Sequence, residues 1–470
     1  MKQIEKSHRT FLSYILALSG IVLTAILIFL NLGKGSIALR DEALTACRSL
    51  YIYLNHSIFD LQVAGHISIR KPPFVYIITA ISYKIFGINE LGLRFPNALL
   101  GLAIFILITI VSLKISKKVG WLAPFILLGC FNIIRVSREA LTDTSFIFFI
   151  SLAFLSFYLN LLDEKNKNFY LFFYFIGICF GLLSKGPLTL LAFFYIIVFI
   201  FFIKKDKRLL KEYLITGILA ILPFLAWAIV QYIRYPQFVD IYFGQEYLDR
   251  LNYHSKFLPQ FIRGPFYYVT NYWRWFRLSG IVAIVLIILI YWLYKNKKIE
   301  WNQNQFISFI YLNGAWLLYL LVASIASHKS RRYILPIFPL LTIIFIIGID
   351  TLLELYVKSK IKYLIYIVTL ICIIVGVQAL SKHYQKVPDY LPIRKKLALR
   401  LKAYKNWHIY TDDWHIAPIL EFYLTKNITV VKKAPQLTDK AIFIHGQPQD
   451  HTEKRIFIIK SKDFKWIIKE

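Results

Sequence analysis

The chain has 470 residues, of which 58% are hydrophobic and 17% aromatic, and it carries a formal net charge of +30. Apolar runs of about twenty residues recur along it, and runs of that length cross a bilayer as helices because a helix satisfies its own backbone hydrogen bonds. This composition excludes a water-soluble enzyme. Since no aromatic-basic module or basic tail accompanies the positive charge, anionic lipid is a better partner for it than nucleic acid.

Eleven apolar segments are predicted to span the membrane. They cover residues 11–31, 97–113, 119–134, 144–162, 169–184, 186–203, 213–233, 278–294, 305–326, 333–356 and 363–380. The first follows a basic start, but it is longer than a signal-peptide core and lacks a small-residue cleavage site, so it is interpreted as an uncleaved span. Residues 73–86 are predicted to lie in the membrane interface, and if they cross together with another segment the count rises to as many as thirteen.

The charges of the loops assign each loop to one side of the membrane. With the N-terminus in the cytoplasm, every inside connection is basic, as the positive-inside rule requires. This parity places the long loops 34–96 and 234–277, together with the C-terminal tail, on the outer face.

Charged residues also collect in the outside loops, where lysine and arginine are unfavoured. The cations in the short outside loops are Arg135, Arg138, Lys185, Lys329, Arg331 and Arg332. Asp41, Glu42 and Asp143 are predicted on the same face. Carboxylates among cations are the composition of a site that deprotonates a nucleophile next to a phosphate. Two alternatives stay open: the cations lie beside lipid headgroups, and Asp143 caps its helix.

From about residue 385 the pattern changes to short β-rich pieces around a helical stretch. The strands are expected near 408–410, 428–431, 441–444 and 456–459, and the helix near 417–424. Such alternation predicts a small α/β domain over residues 385–470 that follows a membrane domain over residues 1–384. In this domain Asp412, Asp413 and His415 suit a metal site, but loop residues after a strand explain them better.

Several motifs of the outer loops resemble those of one known family. They are Asp41-Glu42, Lys71-Pro72-Pro73, Glu90 to Leu99, Arg138 to Asp143, Leu183-Ser184-Lys185-Gly186-Pro187, and Arg332-Tyr333-Ile334-Leu335-Pro336. In this order they are similar to the bacterial polyprenyl-phosphate-sugar glycosyltransferases, which include the lipid A aminoarabinose transferases and relatives in the protein O-mannosyltransferase superfamily. The resemblance implies the GT-C fold, with eleven to thirteen transmembrane helices and a small C-terminal α/β domain, in a bacterial inner membrane.

The resemblance also implies a role for each motif residue. Asp41 is expected to be the catalytic carboxylate at the acceptor, with Glu42 as its companion and Asp143 as the second carboxylate. The donor phosphate is expected to bind Lys71, Arg138, Lys185, Arg332 and Tyr333. The structural alternatives are that Lys71 snorkels to the interface and that Lys185 is a helix-end cation.

Three positions depart from the aminoarabinose branch of the family. That branch has an acid before the Lys-Pro-Pro motif, a His after the Glu of the second long loop, and an aromatic residue four positions after the first aspartate. This chain has Arg70, Tyr247 and Thr45 there. The first two positions are associated with metal binding, so no cofactor is expected, a divalent metal is left open, and lipid A is doubtful as the acceptor.

The expected function is transfer of a sugar from a polyprenyl-phosphate donor to a lipid, glycan or protein acceptor on the outer face. The alternative is a transporter or flippase for a lipid-linked or anionic solute. Transporters usually show matching halves and charges near mid-membrane, whereas here no halves match and the acids gather at one face. A polymerase or ligase acting on whole glycans shares the fold and differs only in its substrate.

Overall fold

The computed structural model describes residues 2–37, 40–248, 267–270, 272–299, 301–326, 329–355, 393–404, 406–431, 440–448, 455–460 and 465–469, with isolated positions between 363 and 374. The helices are α1 (Lys2–Phe29), α2 (Arg40–Asn55), α3 (Phe74–Phe86), α4 (Glu90–Ile115), α5 (Ala123–Leu128), α6 (Phe131–Ser137), α7 (Thr142–Leu162), α8 (Lys167–Lys185), α9 (Leu190–Phe199), α10 (Lys207–Arg234), α11 (Tyr267–Thr270), α12 (Tyr272–Lys295), α13 (Gln303–Ile325), α14 (Ile337–Leu355), α15 (Ile393–Leu401) and α16 (Ala417–Leu424). A π-helical segment, Asp240–Leu248, and a 3₁₀ turn, Arg331–Ile334, carry further residues of the site.

Within these described ranges, eight helices are long and apolar enough to cross a membrane, and each coincides with a predicted span. The predicted span 119–134 is a helix pair, Gly120–Leu128 and Phe131–Ser137, bent by 76°. The predicted span 278–294 lies within α12, and the span 363–380 falls largely outside the described residues. The predicted α-helical polytopic membrane fold is therefore confirmed.

The first outer loop contains helices that the sequence analysis did not predict as such. Helix α3 has only 13 residues and packs between α2 and α4, so it is too short to span the membrane alone. Its location in the membrane interface stays a prediction. A two-stranded hairpin, Gln62–Val63 with His66–Ile67, connects α2 to α3.

Polar caps fix the starts of several spans. The Asn89 side chain accepts a hydrogen bond from the Gly92 amide at 2.9 Å and starts α4. Asp206 accepts from the Arg208 and Leu209 amides and starts α10. These side chains satisfy amides that have no partner within the first helical turn, so each span begins at a defined residue.

Helix α7 is the centre of the membrane bundle. In its most apolar stretch, 83% of the residues are buried inside the protein. Helix α8 packs closely along it because Gly177 faces α7, where a Cβ atom at Gly177 would lie 2.7 Å from the Ala153 nitrogen. Small residues allow this close approach between helices in a membrane, where lipid offers no hydrophobic driving force for their association. The contact fixes the end of α8 relative to the start of α7, and charged residues lie there.

The C-terminal residues form a five-stranded mixed sheet. The strands are β3 (His408–Thr411), β4 (Thr429–Val430), β5 (Ala441–Pro448), β6 (Arg455–Lys460) and β7 (Lys465–Lys469), numbered after the two strands of the hairpin. Their order is β4-β3-β5-β6-β7, with β3 parallel to both neighbours and the last three strands antiparallel. The domain boundary near 384 falls outside the described residues and stays a proposal.

Helix α16 of this C-terminal region rests on the first outer loop. The Glu421 carboxylate accepts a hydrogen bond from the Ala64 amide at 2.7 Å, and the Cys47 thiol donates to the Pro418 carbonyl oxygen at 3.0 Å. On a neighbouring surface, Glu90 accepts from Tyr423 and pairs with Lys395. The sheet region thus supports α2, the helix that begins with Asp41.

The contact between α16 and the first loop is expected to weaken as pH rises. Burial raises the pKa of Glu421 from 4.5 to about 7. The unfolded chain releases this proton at lower pH than the folded one, so stability should fall between pH 4.5 and about 7, by on the order of 3 kcal/mol in total. Thermal unfolding across this range should show the fall in wild type and a smaller one in Glu421→Gln. A Glu354→Gln variant, which changes an exposed carboxylate, is the control; equal pH slopes in all three proteins would contradict the prediction.

Candidate active site

A cavity of about 440 Å³ opens among segments that are far apart in the sequence. Helix α2, the end of the first outer loop, the starts of α3 and α7, the end of α8, the π-helical segment and the 3₁₀ turn all contribute to it. The lining residues are Asp41, Leu44, Thr45, Arg48, Arg70, Lys71, Tyr76, Leu141, Thr142, Asp143, Lys185, Glu246, Ser330, Arg332 and Tyr333. The structure thereby brings together six of the eight predicted site residues: Asp41, Lys71, Asp143, Lys185, Arg332 and Tyr333.

Asp41 lies in the first turn of α2 and is the most accessible carboxylate of the cavity. Its side chain is 55% exposed, and its Oδ2 accepts a hydrogen bond from Arg332 Nη2 at 3.0 Å. The single contact leaves the rest of the carboxylate open to the cavity. Asp41 is therefore placed to accept a proton from a bound molecule.

Asp143 and Lys185 form a buried ion pair in the same cavity. Lys185 Nζ lies 2.6 Å from Asp143 Oδ1, and both side chains are about one-tenth exposed. Arg332 Nη1 lies 3.6 Å from the other Asp143 oxygen, so this arginine connects Asp41 with Asp143. The Lys185 ammonium also lies over the rings of Phe146 and Tyr333, which places Tyr333 beside the pair.

Gly186 ends helix α8 directly after Lys185. Its φ of +81° is in the region that favours glycine, and a Cβ atom there would lie 2.1 Å from the Tyr242 hydroxyl. The Tyr247 hydroxyl donates to the Lys185 carbonyl oxygen at 2.8 Å. The Lys-Gly-Pro motif thus fixes the position of the lysine through the backbone.

Lys71 and Glu246 form a third ion pair in the cavity. Lys71 Nζ lies 3.0 Å from Glu246 Oε2, and the Glu246 side chain is buried. The lysine was predicted as a site residue. Glu246 matches the Glu of the second long loop in the aminoarabinose branch, but it was not predicted as a site residue, because sequence alone did not reveal that residue 246 packs against residue 71.

The structure places Glu42 behind the cavity wall. It is 2% exposed and does not line the cavity. Its two oxygens accept from Arg94 Nε at 2.7 Å and Nη2 at 3.1 Å, and the same arginine donates to the carbonyl oxygens of residues 32, 34 and 36. Glu42 therefore anchors the start of the first loop, and its expected role as the companion of Asp41 stays a prediction.

The structure also places Arg138 outside the cavity. Its Nη1 atom donates to the carbonyl oxygens of Leu27, Ile28 and Leu30 at 2.6 to 3.0 Å, at the C-terminal end of α1. The last carbonyls of a helix lack intrahelical partners and carry partial negative charge, which a guanidinium satisfies well. The structure gives Arg138 this local role, and its expected contact with the donor phosphate stays a prediction.

Arg138→Gln is expected to lower stability without weakening the binding of a polyprenyl phosphate. The loss of these charged hydrogen bonds should lower the free energy of unfolding by about 1–2 kcal/mol. Thermal unfolding and titration with undecaprenyl phosphate would measure the two effects separately. A large loss of lipid affinity at unchanged stability would restore Arg138 to the binding site.

Sequence reasoning missed Arg48 and Tyr76 as cavity residues. Arg48 lies seven residues after Asp41, and in a helix this spacing puts both on one face. This shared face could be recognised from the sequence only if residues 40–55 were predicted as a helix. Residues 34–96 were interpreted as a loop instead.

Among the described residues, no three His, Cys, Asp or Glu side chains cluster closely enough to hold a metal ion. Each cavity carboxylate instead contacts a lysine or arginine. In the C-terminal region, Asp412 contacts the His445 ring and Asp413 accepts from the His415 amide at 2.8 Å, as loop residues after a strand.

Comparison with known proteins gives a family-model match over part of the chain and a fold. Residues 70–229 match the dolichyl-phosphate-mannose-protein mannosyltransferase family. An uncharacterized protein of Aquifex aeolicus is 28% identical over 81% of this chain and 72% of its own length. A polyprenol-phosphate-mannose–protein mannosyltransferase of Mycobacterium tuberculosis is 35% identical over 132 residues, which are 27% of this chain and a quarter of that protein.

Among solved structures, ArnT from Cupriavidus metallidurans bound to undecaprenyl phosphate superposes with a TM-score of 0.69. The superposition covers 91% of this chain and 92% of that one at 14% sequence identity, so it establishes the fold. The fold is therefore the predicted GT-C fold, and parts of the sequence are similar to glycosyltransferases that use polyprenyl-phosphate-linked sugars.

Proposed function

We propose that this protein transfers a hexose or pentose from a polyprenyl phosphate to an acceptor hydroxyl or phosphate, with the chemistry in the cavity between Asp41 and Lys185. The observation that carries the proposal is the set of ion pairs there: Asp41 with Arg332, Asp143 with Lys185, and Glu246 with Lys71. One accessible carboxylate can remove a proton from the acceptor, and the cations next to it can neutralise the phosphate of the donor.

In the proposed reaction the acceptor oxygen attacks the anomeric carbon of the sugar. The new carbon–oxygen bond forms while the bond from that carbon to the phosphate oxygen breaks, and the bonding electrons leave with the polyprenyl phosphate. For a hydroxyl acceptor, the proton passes to Asp41. A single displacement of this kind inverts the configuration at the sugar carbon.

Lys185 and Arg332 are proposed to neutralise the charge that develops on the departing phosphate. Both contact Asp143, which holds them in fixed positions before the substrate binds. Such preorganised charges need little rearrangement as the reaction proceeds. Lys71 is proposed to assist them from the neighbouring wall, and Glu42 acts only by positioning α2.

We further propose that the cavity opens on the extracytoplasmic face, as the loop charges predict. The polyprenyl chain is then held among the membrane-spanning helices and by surrounding lipid. The acceptor is a lipid, a glycan or a protein. The transporter alternative explains the cations equally well, whereas an accessible carboxylate beside them is what a transferase needs as a general base.

The experiment that tests the proposal measures polyprenyl-phosphate-linked sugars in lipid extracts of the host by mass spectrometry. Cells lacking this protein are compared with cells in which wild type or Asp41→Asn has been restored. One species should accumulate in the deletion strain and in the Asp41→Asn strain, and should fall on wild-type rescue. Its mass would distinguish a hexose from a pentose.

Equal membrane levels of the two restored proteins, measured by immunoblotting, are the control. If no polyprenyl-linked species changes, the donor assignment is wrong. If Asp41→Asn lowers the accumulated species as well as wild type does, Asp41 is not the catalytic base, and the remaining explanations are transfer to a phosphate acceptor, which needs no deprotonation, or transport.

A further inference from the structure

Among the described residues that line the cavity, the cations outnumber the carboxylates. Asp41, Asp143 and Glu246 each pair with Arg332, Lys185 or Lys71. Two more cations, Arg48 and Arg70, line the same cavity. Among the described residues, the hydrogen-bond partners of both are neutral, so the excess positive charge resides on these two arginines.

Arg48 is a buried cation held in place by neutral groups. It is 7% exposed, its Nε donates to the Ser68 hydroxyl and its Nη1 donates to the Tyr76 hydroxyl, both at 2.8 Å. Its guanidinium also lies 5.2 Å from the Tyr76 ring centroid. A guanidinium has five N–H donors, so most of the donors of Arg48 have no partner among the described residues.

The position of Arg48 relates it to the acceptor side of the cavity. Asp41, Thr45 and Arg48 follow one another at helical spacing on one face of α2, and all three line the cavity. Seven residues of helix place Arg48 about 10 Å along the axis from Asp41. Arg332 and Asp143 lie next to Asp41, whereas Arg48 is bonded to the segment that leads to Arg70.

Arg70 extends this basic region towards the outer edge of the cavity. Its side chain is exposed, and its Nη2 donates to the Gln245 amide oxygen at 2.8 Å. It precedes Lys71 in the chain, but Lys71 is neutralised by Glu246 and Arg70 is not. A charge-neutral partner orients the guanidinium without reducing its attraction for an anion.

We propose that Arg48 and Arg70 form an anion-binding subsite for the acceptor, so that the acceptor carries a phosphate or carboxylate close to the group that receives the sugar. This rests on the proposed function, in which Asp41 faces the acceptor. A buried cation without a carboxylate partner is costly to desolvate, and an anionic ligand with bidentate geometry offsets that cost. Because the two arginines would bind an anionic group of the acceptor while its reacting group lies at Asp41, the enzyme would prefer anionic acceptors to neutral ones.

The test uses the full-length protein in detergent, saturated with undecaprenyl phosphate and then titrated with methyl phosphate or acetate. Thermal stability reports binding, because a ligand of the folded state raises the unfolding temperature. We expect a saturable rise in wild type, and affinities roughly tenfold weaker in Arg48→Gln and Arg70→Gln, as for loss of one charged hydrogen-bonding group. The preferred anion would distinguish a phosphate from a carboxylate acceptor.

Three comparisons separate the possible outcomes. Arg48→Lys should keep part of the affinity for the anion, because lysine retains the charge but lacks the planar guanidinium. Arg234→Gln removes an arginine that does not line the cavity and should leave the affinity unchanged. The subsite is refuted if neither anion raises the unfolding temperature of the lipid-loaded wild type. It is also refuted if Arg48→Gln and Arg70→Gln lower the affinity for undecaprenyl phosphate as much as Lys185→Gln does. Failure of wild type to bind undecaprenyl phosphate would instead refute the donor assignment, and anion binding without the lipid would still test the arginines.

Discussion

Asp41→Asn is expected to lower the sugar-transfer rate by roughly 10²- to 10⁴-fold, the range for loss of a general base. Asparagine has nearly the same shape as aspartate and retains an oxygen that can accept from Arg332, which contacts Asp41 at 3.0 Å. It cannot take up the acceptor proton at neutral pH. The loss should therefore appear in kcat, whereas the affinity for the polyprenyl-phosphate donor should change little.

Single-turnover kinetics with the donor identified from lipid extracts would measure this effect, together with donor binding. Asp60→Asn is a matched control, because Asp60 belongs to the same outer loop and pairs with Arg234 at 2.7 Å but does not line the cavity. A rate for Asp41→Asn within a few-fold of wild type would exclude Asp41 as the base. It would also point to a phosphate acceptor, which needs no deprotonation.

Changes to the Asp143–Lys185 pair are expected to separate stability from activity. Because both side chains are about one-tenth exposed, removing Asp143 leaves the Lys185 ammonium buried without its carboxylate, and removing Lys185 leaves Asp143 with only the more distant Arg332, at 3.6 Å. Lys185→Met or Asp143→Asn should each lower the free energy of unfolding by about 3–5 kcal/mol. The double variant Lys185→Met/Asp143→Asn should recover most of that loss, since neither charge then remains buried alone.

The transfer activity should not recover with the stability. If Lys185 stabilises the departing phosphate, its loss should lower kcat by roughly 10²- to 10³-fold, in the double variant as well. Thermal unfolding and transfer assays on the four proteins of this cycle test both statements. A stable double variant with near-normal activity would show that the pair serves only the fold.

The candidate site illustrates which residues can be predicted from motifs. Asp41, Lys71, Asp143, Lys185, Arg332 and Tyr333 were all predicted, and all line the cavity. Glu42 and Arg138 belong to the same motifs, but they lie behind the cavity, where they hold the backbone of the first loop and the end of α1. A motif marks residues that the site requires, and it does not distinguish contact with the substrate from support of the residues that make contact.

The sequence by itself determined the membrane-spanning helices and the collection of charges at one face. Both follow from local properties, because a run of apolar residues specifies a span and the charged residues of the loops lie just beyond the ends of these runs. The strands 408–411 and 441–448 were likewise expected near their observed positions from their composition. Their order in the sheet was not, since pairing between distant strands depends on contacts that no short window of sequence contains.

Only the tertiary structure decided which charges meet. Arg48 and Arg138 are both arginines near the predicted outer face, yet one lines the cavity and the other caps α1. Glu246 reaches Lys71 across 175 residues of chain. The direction of each side chain depends on the rotation of its helix and on the neighbours against which that helix packs. These are set by the bundle as a whole, so the excess of positive charge in the cavity becomes visible only when every pair has been placed.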